Sequence, residues 1–92
     1  MSVKIDGVDF TKYIEFPFSH NPDKLDYRGK GVEDEGKVVE KMLKELPKET
    51  PIRVEDTKFR SGALSSRIYK LTSINSQWEG TLFKFEIKLE GV

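Results

Sequence analysis

Cysteine is absent from this chain, and histidine occurs once, at position 20. The first absence excludes a disulfide framework, a thiolate nucleophile and a thiolate-bound zinc. The second leaves His20 as the sole imidazole, so nucleophilic triads have almost nothing to be built from. Neither sign of charge predominates: sixteen Lys and Arg balance sixteen Asp and Glu, for a net charge of +0. With no overall positive field, nucleic acid and anionic membrane surfaces are disfavoured partners. Apolar runs approaching the ~20 residues that span a bilayer are also missing, and the opening Met1-Ser2-Val3-Lys4-Ile5-Asp6 lacks the apolar core of a signal peptide. The expectation is a protein of the cytoplasm, or one built into a particle made there.

What is present suffices for one core. The chain has 92 residues, of which 36% are hydrophobic, with six Phe, three Tyr and one Trp. A chain of this length supports a single domain over 1–92 and no second one. Charged residues make up 35%, which implies an ionic surface around a small core, and self-association is one way to enlarge the buried area.

Periodicity places the elements. Val3 and Ile5 alternate with Lys4 and Asp6, and Asp6-Gly7 is a hairpin signal, so residues 2–6 and 8–16 read as an N-terminal hairpin. Phe16-Pro17-Phe18 closes it. Residues 19–33 are polar and rich in glycine and turn formers and read as a long loop. Val38, Val39, Met42, Leu43 and Leu46 form one helical stripe, introduced by Glu33-Asp34-Glu35 and ended by Pro47. Strands are expected from Pro51 to Glu55, from Arg67 to Asn75 and through Phe83, Phe85, Ile87 and Leu89, with Ser76 to Gly80 as a hairpin loop carrying Trp78. The predicted class is α+β in the order β-β-α-β-β-β: a mostly antiparallel sheet, or a small β-sandwich or barrel, with one packed amphipathic helix.

Two stretches carry a resemblance. Val3-Lys4-Ile5-Asp6-Gly7-Val8-Asp9-Phe10, followed by Lys12-Tyr13-Ile14, is similar to the first hairpin of small tail-associated proteins of long-tailed bacteriophages. Trp78-Glu79-Gly80-Thr81-Leu82-Phe83-Lys84-Phe85-Glu86-Ile87 resembles their final strand. The resemblance implies a structural role in a virion or prophage tail, with assembly through strand edges and loops into a homo-oligomer such as a ring, or onto another virion protein.

The residues themselves favour a binding or assembly module over an enzyme, with no cofactor. His20 with Asp23 and Asp26 fits no metal-ligand spacing, and Asn21-Pro22-Asp23 is what a turn needs. Tyr27, Arg28 and Lys30, interleaved with Gly29 and Gly31, could let a backbone approach an anion, but they lack the context of a phosphate-binding loop. Arg53, Lys58, Arg60, Arg67 and Lys70 make a second basic cluster. Segment 51–70 carries +3 and segment 33–49 carries −2, a split that suits head-to-tail contacts between copies as readily as nucleic-acid binding. Phe16, Phe18 and Trp78 are the apolar anchor candidates, set against an ordinary role in capping the core. The alternative reading is a small phage-encoded or regulatory inhibitor that binds a host protein or a small anionic ligand through the 19–33 and 58–67 loops.

Overall fold

A computed structural model describes residues 2–16, 23–56 and 65–92 of the chain. Its first element is the expected hairpin in miniature: β1 (Val3–Ile5) pairs with β2 (Val8–Asp9) across Asp6-Gly7, both of which take positive φ as a two-residue turn requires. The strand expected over 8–16 is interrupted by a 3₁₀ turn, Thr11–Tyr13, before β3 (Ile14–Phe16). The interruption has a local cause. Asp9 Oδ1 accepts from the Thr11 amide at 2.8 Å, and Thr11 Oγ1 accepts from the Val3 amide at 2.9 Å, which turns the chain out of line.

The expected loop over 19–33 is corrected more sharply. Residues Lys24–Val32 form β4, paired along its whole length with β7 (Leu82–Gly91) from Lys24 opposite Glu90 to Val32 opposite Leu82. Its inward positions are Leu25, Tyr27, Gly29 and Gly31, so half of its inner face carries no side chain. Backbone takes that space. A Cβ on Gly29 would collide with the Tyr13 carbonyl oxygen, and one on Gly31 would lie 3.0 Å from the Gly36 backbone.

Helix α1 (Glu33–Lys44) follows at once, with the amide of Glu33 donating to the Thr81 carbonyl at 2.8 Å and Glu33, Asp34 and Glu35 in its first turn. It buries Gly36, Val39 and Leu43, with Leu46 beyond its end. Met42 packs against the core from the flank, while Val38, expected in the same stripe, is 44% exposed. Then come β5 (Pro51–Asp56) and β6 (Ser65–Glu79). β6 extends past the expected Asn75, and its turn to β7 is confined to Gly80-Thr81, with Gly80 at φ 62°. The order is thus β-β-β-β-α-β-β-β.

Among the described residues these strands make one antiparallel sheet of seven, ordered β2-β1-β5-β6-β7-β4-β3. The edge strands β2 and β3 are neighbours in sequence, which forces the sheet to curl. Flat, its edges would stand roughly 29 Å apart at ~4.8 Å per strand, yet Asp9 to Ile14 spans at most about 18 Å. The curl closes around Phe10, Tyr27, Tyr69, Phe83 and Phe85, joined by Val3, Ile5, Ile52, Val54, Ile87 and Leu89, and by α1 against β4 and β7. Phe83, Phe85, Ile87 and Leu89 all face inward, as their alternation predicts. No helix among the described residues is long and apolar enough to cross a membrane.

Candidate functional site

The long strand β6 serves two halves of the sheet. Ser65 to Lys70 pair with β5, and Tyr69 to Glu79 pair with β7. Among the described residues, only Tyr69 and Lys70 of β6 have a strand on both sides. The reason lies at Pro51, which opens β5 opposite Lys70 and has no amide hydrogen to donate. From residue 71 to residue 79 the strand is therefore paired on the β7 side alone, and no backbone hydrogen bond to another described residue reaches its far side. Such an edge offers alternate N–H and C=O groups to any strand that approaches.

The chemistry of this edge is unusual for the chain. Residues 71–78 are the longest stretch without Asp, Glu, Lys or Arg, in a sequence that is 35% charged. Lysine, proline and inward-pointing charge, the usual means of blunting an edge, are missing from it. A bulge between Leu71 and Ser73 marks one end of its regular part, and the turn after Glu79 marks the other. Ile74 is half-buried against the core, while Asn75, Ser76 and Gln77 are exposed.

Trp78, expected at the tip of a hairpin loop, lies within this strand instead. Its ring stands 5.1 Å from the Phe83 ring, and its indole N–H donates to Glu40 Oε2 at 2.8 Å, tying β6 to α1. Gly36 makes room for it, since a Cβ there would come within 2.8 Å of the indole. The indole hydrogen bond, assisted by Lys44 at 3.4 Å, holds the Glu40 carboxyl below the usual carboxylate range. Trp78 remains 39% exposed, so one side faces the helix and the other solvent.

The convex face beside the edge is a mosaic of ion pairs. An open groove of about 570 Å³ is lined by Glu15, Arg28, Asn75, Gln77, Lys84 and Glu86, among others. Arg28 Nε donates to Glu86 Oε2 at 2.7 Å and its guanidinium lies 3.5 Å from Asp26; Lys30 lies 3.2 Å from Glu15 and Lys84 3.0 Å from Glu79. Desolvation opposes the charge on Glu86, but Arg28 and Lys88 outweigh it and hold this carboxyl below its ordinary range. Each cation in the groove thus already has an anion, which suits a structural surface better than an anion-binding one.

The remaining expected residues fall in different places. Tyr27 is corrected outright: it is fully buried, with its hydroxyl 2.6 Å from Asp56 Oδ2, so its side chain meets no partner from outside. Arg67 pairs with Asp23 at 2.8 Å and lies over the Tyr69 ring, which fixes it near the end of β7 rather than in a free basic loop. Phe16 ends the edge strand β3. Phe18, His20, Lys58 and Arg60 lie outside the described residues. Sequence reasoning missed the β6 edge, whose signal was the uncharged run, and the partners Asp56 and Glu40, for which a sequence of many acids carries no local signal. Comparison with protein-family models, curated proteins and solved structures finds no match.

Proposed function

We propose that this chain is a non-enzymatic assembly module acting through protein–protein contacts, a tail-associated part of a long-tailed bacteriophage or prophage particle. In this reading the curled sheet is a small barrel-like body flanked by its helix, made in the host cytoplasm and incorporated into the virion. The observation that carries it is the strand stretch 71–79, hydrogen-bonded among the described residues on one side only and uncharged as far as Trp78. An edge of that kind gains main-chain hydrogen bonds by accepting a further strand, the mode by which sheets join proteins. The ion pairs that occupy the groove beside it support a scaffold rather than a reactive surface.

Purified particles from a lysate of the source strain test the reading. The chain is expected in them at a fixed ratio to the other tail proteins, retained after a high-salt wash. Recovery only in the particle-free fraction, bound to a host protein, would overturn it in favour of the inhibitor reading.

A further inference from the structure

The edge has chemistry that selects its occupant. We propose that β6 of one copy pairs antiparallel with β6 of a second copy about a twofold axis at Asn75, so that one sheet continues through both molecules; this rests on the assembly reading above and names its partner.

Charge supports the second copy. Residue 75 is the midpoint of 71–79, and the residues that flank the uncharged run have opposite signs, Lys70 at one end and Glu79 at the other. Antiparallel pairing about Asn75 brings Glu79 of each copy to the Lys70 end of the other, whereas parallel pairing in register stacks Glu79 on Glu79. Inside those ends nothing repels. Ser73 faces Gln77 and Ile74 faces Ser76, all uncharged, and Asn75 faces its own copy with a side chain that both donates and accepts. From Ser73 to Gln77, on the regular side of the bulge, each residue thus meets an uncharged partner when the sequence is laid against itself in reverse, which an unrelated strand satisfies only by chance.

Length sets the strength. Even nine residues of strand would extend only about 30 Å, and a contact of at most that size falls below the ~1,200 Å² of stable interfaces, so association in the micromolar range is expected. An edge of this affinity stays open in dilute protein and closes where copies are concentrated.

The absence of cysteine makes a direct test simple. Opposite residues of an antiparallel pair have Cα atoms about 4.5–5.5 Å apart, inside the 4.4–6.8 Å range that a disulfide bridges. Under mild oxidation at about 50 µM, Asn75→Cys should become a disulfide-linked dimer at least tenfold faster than Lys41→Cys, which lies exposed on α1. In sedimentation, Asn75→Lys should weaken wild-type dimerisation at least tenfold, and an equimolar mixture of Asn75→Lys with Asn75→Asp should restore it as a heterodimer. Equal oxidation rates at the two cysteines, or a wild type that stays monomeric at several hundred µM, would overturn the proposal. The two readings fail separately. A strict monomer that is still present in purified particles removes self-pairing and leaves the assembly role, whereas an Asn75-dependent dimer absent from particles does the reverse.

Discussion

Tyr27 on β4 donates its hydroxyl proton to Asp56 on β5 at 2.6 Å, across the inside of the sheet and three strands away in its order. Both residues are buried, and together they brace the curl from within. Tyr27→Phe keeps the ring and removes the donor from a buried carboxyl group, a loss of about 1–3 kcal/mol. Urea unfolding should show that loss as a lower midpoint at unchanged slope. A double-mutant cycle with Asp56→Ala should return a coupling of about 1 kcal/mol or more, as residues in one hydrogen-bonded network do; additivity would mean that the contact carries no stability.

The same pair fixes the behaviour at high pH. Burial first, and then the hydrogen bond to Asp56, raise the Tyr27 phenol far above its ordinary value of 10.0, and burial raises Tyr69 as well. A folded-state pKa above the unfolded one means that the unfolded chain releases its proton first, so stability is full below pH 10 and falls as pH rises past it. Each phenol that stays protonated contributes a slope of up to about 1.4 kcal/mol per pH unit. Unfolding measured at pH 9, 10 and 11 should show this decline, and Tyr27→Phe should reduce its slope. A profile that is flat to pH 11 would place the Tyr27 hydroxyl in contact with water.

How far the sequence announces this fold depends on whether a position carries the side chain that its face requires. β7 was legible because all four of Phe83, Phe85, Ile87 and Leu89 fill the inner face. β4 was not, because Gly29 and Gly31 yield their inner positions to the backbone of Tyr13 and of α1, and glycine between charges looks like a loop. The end of β6 was hidden because Asn75, Ser76 and Gln77 are polar and exposed, and such a run looks like a turn. The helix was legible, but its width was not: nothing local to Val38 says that the sheet covers only the side of Val39 and Leu43. The open edge depends on where β5 stops against β6, a nonlocal fact, although the uncharged run that forms it was in plain view.

Trp78 connects α1 to β6, so its replacement should do more than alter a surface. Trp78→Ala removes the packing on Phe83 and Gly36 and is expected to cost about 2–3 kcal/mol, at the low end for a large aromatic because it is partly exposed. The milder Glu40→Ala deletes only the acceptor of the indole N–H. As the sole tryptophan, Trp78 reports the change directly: its emission should shift to the red while the far-ultraviolet spectrum stays unchanged. An unshifted emission would mean that the Glu40 contact does not hold the ring in place.

Gly29 gives the sharpest test of β4. It lies directly opposite Phe85, and an added Cβ would meet the Tyr13 carbonyl oxygen and come within 2.5 Å of the Phe85 ring. The ring is the far end of a side chain and gives way more readily than backbone, but the carbonyl belongs to the short crossing between β2 and β3 and moves only if the sheet uncurls. Gly29→Ala, ordinarily neutral or favourable in a mobile loop because it restricts the unfolded chain, should here cost several kcal/mol, a large share of the stability of a domain this size. Lys30→Ala, on the outer face one residue on, should change stability by no more than about 0.5 kcal/mol. Trypsin should likewise spare Arg28 and Lys30, whose backbone is held in the sheet by β7. A stable, soluble Gly29→Ala protein that is nicked at Arg28 would return this segment to the loop that its composition suggests.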